Sequence, residues 1–146
     1  MSWSPSITAA SVVFHNDRYL LVKENDKERK IPVFNQPAGH LEPGETILEA
    51  AIRETLEETT WKISILGLLG IALVKNSSGK TYLRHTFLAR PIERDETAKL
   101  DSDIISTHWL KLEDIEAVSD QLRTPIVLEA IKWHRSGVTY PISVFK

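Results

Sequence analysis

One segment of the sequence, a loop followed by an amphipathic helix, constrains the fold more than any other. Residues 36–44 contain two prolines and two glycines, which is typical of a loop rather than of regular secondary structure. Residues 46–59 then carry apolar or small side chains at helical spacing, with Glu45 or Thr46 placed to cap the first turn. The side chains that define this face are Ile47, Leu48, Ala51, Ile52 and Thr55. We therefore expect the helix to pack one face against a larger layer of structure.

Short segments rich in β-branched residues lie on both sides of this helix and predict strands. They are residues 7–14, 19–23, 63–68, 70–75, 81–89 and 104–110, with turns at 15–18 and 76–79. Two further helices are predicted at 112–118 and 125–135, and two charged loops at 24–30, which we expect to be mobile, and 92–103. The pattern predicts an α+β fold in which a mixed β-sheet is sandwiched between helices (α/β/α), without defining the strand order.

Length and composition suit one globular domain spanning residues 1–146. Apolar residues make up 42% and charged residues 26% of the chain, and no repeat or composition break divides it. The net charge of −2 disfavours a nucleic-acid partner, and the absence of cysteine excludes disulfides, thiolate metal sites and cysteine nucleophiles. No segment approaches the ~18 apolar residues of a membrane span. Residues 1–5 lack the pattern of a signal peptide, so we expect a cytoplasmic protein without membrane contact.

Three glutamates of the helix fall on one narrow face. Glu57 and Glu58 follow Glu54 by three and four residues, which places each of them within ~60° of Glu54 around the helix axis. Like charges at this spacing repel each other by roughly a few tenths of a kcal/mol per pair, and an oxygen-ligated divalent cation offsets that repulsion. A glutamate-rich helix alone is more often a solvated face. The glycine loop before it and Arg53, which can hold a carboxylate by two hydrogen bonds, favour a site for Mg²⁺, with Mn²⁺ as an alternative.

These residues, in this register, resemble the Nudix box, the motif of the Nudix hydrolase superfamily. The box spaces a glycine, a glutamate, an arginine–glutamate pair and a glutamate pair at fixed intervals, and each of these positions is matched. The matching residues are Gly39, Glu45, Arg53, Glu54, Glu57 and Glu58. Thr60 stands where the family has a helix-terminating glycine, which predicts a different exit turn rather than a lost ligand. The motif marks a superfamily and not a substrate.

The resemblance continues outside the box, into the NudJ-type branch of the Nudix phosphatases. Residues 35–42, 101–104 and 122–125 look like that branch, and Tyr140 and Pro141 have a counterpart in it. The branch implies a Nudix fold, a monomer or weak dimer, and Mg²⁺-dependent hydrolysis of nucleoside di- and triphosphates or thiamine-type pyrophosphates. It also implies that inorganic phosphate is released.

The resemblance further implies a role for each residue of the box. Glu54 and Glu58 are expected to be the principal metal ligands, with Glu57 supporting a second ion and the Ala38 carbonyl adding a neutral ligand. Arg53 is expected to orient Glu54. In the implied mechanism, bound metal neutralises the diphosphate and lowers the pKa of a water molecule, which attacks phosphorus in line.

The general base and the substrate contacts are less narrowly defined. Glu54 is the first candidate for the base, and Glu58 or an acid outside the box, Asp101 or Asp103, is the alternative. Glu45 is expected to be an electrostatic partner of the helix. The residues expected to contact substrate are Gly39, His40, Arg84 and Asp103. Weaker candidates are Lys23 and Arg123 for phosphate and Phe34 and Trp109 for stacking on a ring, although Trp109 is more typical of a core.

Three functions are compatible with the sequence. The first is the NudJ-type hydrolysis of nucleotides or thiamine-type pyrophosphates. The second keeps the same chemistry but acts on nucleotide sugars, dinucleotides or capped RNA, so that its products differ. The third is a non-catalytic nucleotide-sensing module, against which the complete set of Glu54, Glu57 and Glu58 argues, because a sensor has no need of them.

Overall fold

A computed structural model describes residues 2–146 as a mixed β-sheet with three α-helices. The strands are β1 (Ser6–His15), β2 (Arg18–Asp26), β3 (Ile31–Asn35), β4 (Ala38–His40), β5 (Trp61–Lys75), β6 (Thr81–Arg94) and β7 (Ile104–Leu110). The helices are α1 (Ile47–Thr59), α2 (Leu112–Ala117) and α3 (Ile126–Arg135), with 3₁₀ turns at Ser119–Gln121 and Ile142–Val144. No helix within residues 2–146 is long and apolar enough to cross a membrane.

Strand β1 is the centre of the sheet, whose order is β3-β2-β1-β6-β5, with β4 added to β1 and β7 to β2. β1 runs parallel to β6, and the other strand pairs are antiparallel. β1 and β2 pair only near their connecting turn, where Phe14 lies opposite Tyr19 and His15 opposite Arg18. Beyond that point, β1 joins β4 and β6 whereas β2 joins β3 and β7. The two halves of the sheet therefore diverge.

Helices cover both faces of the sheet, which confirms the predicted α/β/α arrangement. Successive strand residues point to opposite faces, and Leu68 and Leu69 on β5 accordingly belong to different core clusters. Leu68 packs in the cluster that contains Ala50 and Ala51 of α1. Leu69 packs in the cluster that contains Val127 of α3, together with residues of α2. Each helix thus buries its apolar face against one side of the same sheet.

Helix α1 begins as the sequence predicts. Thr46 accepts a hydrogen bond from the Glu49 N–H at 3.1 Å, and the Glu49 carboxylate accepts one from the Thr46 N–H at 2.9 Å. This reciprocal capping box satisfies two of the free backbone donors of the first turn. Ala51 and Thr55 are buried as predicted, whereas Ile52 is 39% exposed, so its assignment to the packed face is wrong. Glu58 belongs to the buried face instead, since it is only 7% exposed.

Several predicted loops are strands in the structure. β2 extends to Asp26 within the segment expected to be a charged, mobile loop, because β3 and β7 both supply backbone partners to it. β4 lies within the predicted loop 36–44, since residues 38–40 pair with β1. The two strands predicted at 63–68 and 70–75 are one strand, β5, whose pairing with β6 shifts register between Ile65 and Gly67 and again between Leu68 and Gly70. Composition alone does not show such pairing.

The end of α1 differs from the prediction. Thr60 adopts the left-handed conformation with φ of 65°, and its N–H donates to the Leu56 carbonyl at 2.9 Å. The expected different exit turn is therefore wrong, because threonine takes the backbone conformation that glycine adopts most readily at this position. The Arg94 Nε group donates to Thr60 Oγ1 at 3.1 Å, which helps to hold the residue there.

Replacing Thr60 with glycine tests the strain at this helix end. A β-branched residue in the left-handed region costs about 1–2 kcal/mol relative to glycine, so Thr60→Gly is expected to raise the free energy of unfolding by up to about 1 kcal/mol. Thr60→Ala keeps the strain and loses the hydroxyl, and is expected to destabilise the fold. Urea unfolding monitored by circular dichroism measures both. A loss of stability in Thr60→Gly would mean that the contact with Arg94 outweighs the strain.

Candidate active site

Helix α1 delivers the carboxylate of Glu58 to the edge of β4. The Ala38 N–H donates to Glu58 Oε1 at 2.9 Å, and β4 is in turn fixed by its pairing with β1. Burial raises the pKa of Glu58 to about 9, because the hydrogen bond from Ala38 offsets only part of the desolvation. Nearby Glu24, Glu54 and Asp101 raise it further. The site is thus a concentration of negative charge at the junction of helix and sheet.

Arg53 donates hydrogen bonds to the other carboxylates of the motif, one before the helix and two on it. Its Nε and Nη2 groups donate to both oxygens of Glu45 at 2.9 and 2.8 Å, and its Nη1 group donates to Glu54 at 2.8 Å and Glu57 at 3.2 Å. Nη2 also donates to the His40 carbonyl at 3.0 Å. The hydrogen bonds from Arg53 hold the pKa of Glu45 at about 2. One guanidinium therefore joins the helix to the loop that precedes it.

Gly39 has a steric reason to be glycine. A Cβ at this position would overlap the carboxyl group of Glu54, so the glycine leaves the space that this carboxylate fills. Glu54 is half-buried, and burial raises its pKa while the bond from Arg53 lowers it. The first glycine of the motif and its central glutamate are thus in direct contact across the loop–helix junction.

The donor chemistry of this cluster fits a hard divalent cation. Mg²⁺ prefers carboxylate and carbonyl oxygens, which are the groups that Glu54, Glu58 and Ala38 present. Burial is the main cause of the raised pKa of Glu58, and the neighbouring carboxylates add to it, so a bound cation would favour the ionised form of Glu58. Among residues 2–146, however, no three carboxylate or imidazole groups converge as a preformed metal site. Arg53 accounts for this arrangement, since it holds the Glu54 and Glu57 carboxylates to itself.

A cleft of about 340 Å³ opens beside the cluster, where the two halves of the sheet diverge. Its polar lining includes Thr8, Glu24, Asp26, Asn35, Arg84 and Arg123. Glu24 is 9% exposed and accepts hydrogen bonds from Asn35 at 3.0 Å and Arg123 at 3.1 Å. Burial raises the pKa of Glu24, although Arg123 and Asn35 oppose the shift. The cleft floor is therefore a buried polar network and not an apolar pocket.

Arg84 is the most deeply placed cation of the cleft. Its Nη2 group donates to Gln36 at 2.9 Å and Asn35 at 3.3 Å, and its buried Nε group has no hydrogen-bond partner among the described residues. Burial lowers the pKa of Arg84 to about 10, against the opposing effect of Glu24. A buried guanidinium with an unsatisfied donor is costly unless an acceptor reaches it. This is the environment in which an anionic substrate group is favoured.

Three of the four residues expected to contact substrate line the cleft, and the fourth does not. Gly39, His40 and Arg84 line the cleft together with Ala38, whereas Asp103 does not. Asp103 is exposed and lies 3.5 Å from Lys27 at the surface. Its neighbour Asp101 lies closer to the cluster: its N–H donates to the Glu57 carbonyl at 2.9 Å, and its charge raises the pKa of Glu54 and of Glu58.

Glu24, Asn35 and Tyr82 line the cleft without having been singled out from the sequence. Glu24 fell in a segment whose many charges predict a solvated loop, and no local signal shows that it is buried. Phe34, a candidate for stacking on a ring, is 8% exposed in the core instead, and Trp109 packs edge-on against Trp61 at 5.8 Å. Arg123, a weak candidate for phosphate contact, does line the cleft.

The chain belongs to the Nudix family. The NUDIX domain model matches residues 5–133. Phosphatase NudJ of Escherichia coli (strain K12) is 34% identical to this chain over 142 residues, covering 97% of this chain and 91% of that protein. A solved NUDIX hydrolase from Nitrosomonas europaea superposes with a TM-score of 0.94 at 39% identity, covering 98% of this chain and 97% of that chain. The protein is therefore a Nudix phosphohydrolase, and such hydrolases generally use divalent metals.

More distant structures share the fold alone. An Ap4A hydrolase from C. elegans has a TM-score of 0.68 at 22% identity, covering 91% of this chain and 99% of that chain. An ADP-ribose pyrophosphatase from Streptococcus suis has a TM-score of 0.68 at 17% identity, covering 94% of this chain and 96% of that chain. These similarities confirm the Nudix fold and leave the substrate open.

A methyl group at Gly39 tests the contact with Glu54. Gly39→Ala is expected to push the Glu54 carboxylate away from its place beside Arg53 and to lower kcat about a hundredfold, since displacement of a reacting group by about 1 Å has that cost. The end of a glutamate side chain can move, so we expect the melting temperature to change little. Steady-state phosphate release and thermal unfolding measure the two effects. Wild-type turnover in Gly39→Ala would show that the position of Glu54 is not critical.

The buried Glu58 carboxyl predicts how stability depends on pH in metal-free protein. Its pKa is about 9 when folded and about 4.5 when unfolded, so the folded chain holds the proton more tightly. The stabilisation is complete below pH 4.5 and is lost as pH rises to about 9, so the free energy of unfolding falls across this window. Glu58→Gln should flatten the fall and be more stable than wild type at pH 8 in EDTA.

Urea unfolding at a series of pH values, with EDTA present, measures this dependence. Glu96→Gln is the matched control, because Glu96 is an exposed acid outside both the carboxylate cluster and the cleft lining. It should retain the wild-type profile. Parallel profiles for Glu58→Gln and wild type would contradict a raised pKa at Glu58.

Proposed function

We propose that the protein hydrolyses phosphoanhydride bonds in nucleoside di- and triphosphates or in thiamine-type pyrophosphates, and releases inorganic phosphate. The proposed metal is Mg²⁺, with Mn²⁺ able to replace it. The observation that carries the proposal is the position of buried Glu58 against Ala38, beside Glu54 and at the end of a cleft that contains the buried cation Arg84. The similarity to a phosphatase, NudJ, over 97% of the chain supports the release of phosphate. We further propose a cytoplasmic monomer or weak dimer.

Different residues along the cleft have different proposed roles. We assign metal binding to Glu54, Glu58 and the Ala38 carbonyl, with Glu57 supporting a second ion. A divalent cation at this position would neutralise phosphate charge and lower the pKa of an attacking water. Arg53 fixes the direction of the Glu54 carboxylate through its bond at 2.8 Å.

Glu54 is the proposed general base. It is half-buried, lies at the surface of the loop–helix junction, and has a raised pKa, which brings its proton affinity closer to that needed for accepting a proton from water. Glu58 is less suitable, since it is buried, whereas Glu54 is only half-buried and is more accessible to an attacking water. Asp101 is the alternative outside the motif because its charge acts on both glutamates.

Binding of the substrate phosphates is assigned to Arg84, with Gly39 and His40 lining the same end of the cleft. Arg84 is a buried cation in the cleft lining, and phosphate oxygens of the substrate would compensate its positive charge. Asp103 is retained only as a more remote contact, since it lies outside the cleft lining. A cleft volume of about 340 Å³ is at the small end of ligand sites, which favours a single nucleotide or thiamine-type ligand over a dinucleotide or capped RNA.

Charge-removing substitutions test the assigned carboxylates. Glu54→Gln and Glu58→Gln preserve side-chain size, and each is expected to lower kcat at least about a hundredfold, the usual contribution of a group of this kind. The exposed Glu96→Gln variant is the matched control and should retain wild-type rates. Phosphate release in excess Mg²⁺ is the measurement. Near-normal rates in both cluster variants would refute the metal and base assignments.

A comparison of products tests the substrate class. GTP, GDP, thiamine pyrophosphate, ADP-ribose and a diadenosine polyphosphate are incubated with protein and Mg²⁺, and the products are resolved by chromatography. Release of inorganic phosphate from the first three is the expected result. Preference for the last two, with nucleoside monophosphate as product, would place the protein among the Nudix pyrophosphatases instead.

A further inference from the structure

Two aromatic rings lie side by side on the wall of the cleft. Among the described residues that line it, only His40 and Tyr82 carry rings, with centroids 5.8 Å apart and planes inclined at 60°. Tyr82 is half-buried on β6, and Val74 lies opposite it on β5. The two candidates for ring stacking expected from the sequence, Phe34 and Trp109, do not line the cleft. Tyr82 is therefore the larger planar surface that a ligand in the cleft can contact.

The strand register shows how far Tyr82 lies from the reactive end of the cleft, which is the end where Ala38 contacts Glu58. Thr8 on β1 lies opposite Arg84, and Ser6, two residues before it, lies opposite Tyr82. Ala38, which contacts Glu58, pairs with β1 two residues beyond Thr8 in the other direction. Each two-residue step along a strand is about 6–7 Å. Arg84 is thus one step from the reactive end of the cleft, and Tyr82 is two steps from it.

Neighbouring side chains fix the position of the Tyr82 ring. The Asn76 Nδ2 group donates to the Tyr82 hydroxyl at 3.3 Å, which links the ring to the β5–β6 turn. The Lys80 ammonium lies over the ring, 5.4 Å from its centroid. A ring held from two sides loses little conformational entropy when a ligand stacks on it, and the nearby ammonium favours a ligand that carries negative charge.

We propose that Tyr82 determines specificity by stacking on a planar heterocycle of the substrate, while the phosphates occupy the cleft between Arg84 and Glu58. This inference rests on the proposed function, and it narrows the substrate to an aromatic heterocycle joined closely to a di- or triphosphate. A nucleobase and the rings of a thiamine-type pyrophosphate share this chemistry. A sugar or an aliphatic chain at the same place would lose the stacking energy, although the phosphates would still bind.

Equilibrium binding tests this proposal without requiring turnover. Tyr82→Leu removes the ring but keeps apolar bulk, and Tyr82→Phe, the matched control, keeps the ring but loses the hydroxyl. The probes are the β,γ-imido analogue of GTP and inorganic imidodiphosphate, both titrated calorimetrically with Mg²⁺. We expect Tyr82→Leu to bind the GTP analogue about tenfold more weakly, the usual effect of losing one stacked aromatic side chain. Tyr82→Phe should stay close to wild type, and imidodiphosphate should bind equally to all three proteins.

The outcomes distinguish the two proposals. If wild type binds the analogue tightly and Tyr82→Leu does not, while no phosphate is released from GTP or GDP, the stacking role stands and the proposed function fails. If Tyr82→Leu binds the analogue as wild type does, or wild type binds imidodiphosphate as tightly as the analogue, the stacking role is overturned.

A second measurement covers a variant that does not fold. If circular dichroism shows that Tyr82→Leu is unfolded, nuclear Overhauser effects between the base H8 proton and a tyrosine ring of wild type provide the test. Effects to tyrosine ring protons that are present in wild type and absent in Tyr82→Phe support the stacking role. In that variant residue 82 is no longer a tyrosine, so their loss assigns the contact to Tyr82. Their absence in wild type overturns it.

Discussion

The guanidinium of Arg53 bonds to three glutamates and to the backbone of the loop before its helix. The loop and α1 are joined through this one side chain, which an isolated lysine ammonium could not replace with the same fixed geometry. Its bond to Glu54 places that carboxylate over Gly39, which has no side chain to obstruct it. The relation of the loop to the helix, and hence of the cleft to its reactive end, follows from this arrangement.

The second main feature of the structure is the set of buried ionisable groups around the cleft. Glu58 and Glu24 are both less than a tenth exposed and both have raised pKa values, while the pKa of buried Arg84 is lowered. A fold selected for stability alone would not retain such groups, because apolar replacements of similar size are often at least as stable. Perturbed carboxylates and an unsatisfied guanidinium around one cleft are typical of a functional site. Ligands of opposite charge would offset the cost of burying these groups.

Much of the fold was predictable where local sequence signals are strong. The capping box at Thr46, the length of α1 and the approximate positions of α2 and α3 depend on contacts within a few residues. β4 and the end of β2 were assigned to loops because their strand character comes from pairing with β1, β3 and β7, which are distant in sequence. Thr60 illustrates the same limit, since its left-handed backbone is supported by Arg94 from another strand.

From the sequence alone, the superfamily and the cluster of Glu54, Glu57 and Glu58 on one helical face can be inferred. These follow from fixed spacing along one loop and one helix. The folded chain alone shows that the charge of Glu24 acts on Glu58, that Tyr82 rather than Phe34 lines the cleft, and that Asp103 lies outside the lining. Glu24 and Tyr82 lie on separate strands, and the divergence of β1 from β2, which no local signal encodes, opens the cleft that both of them line.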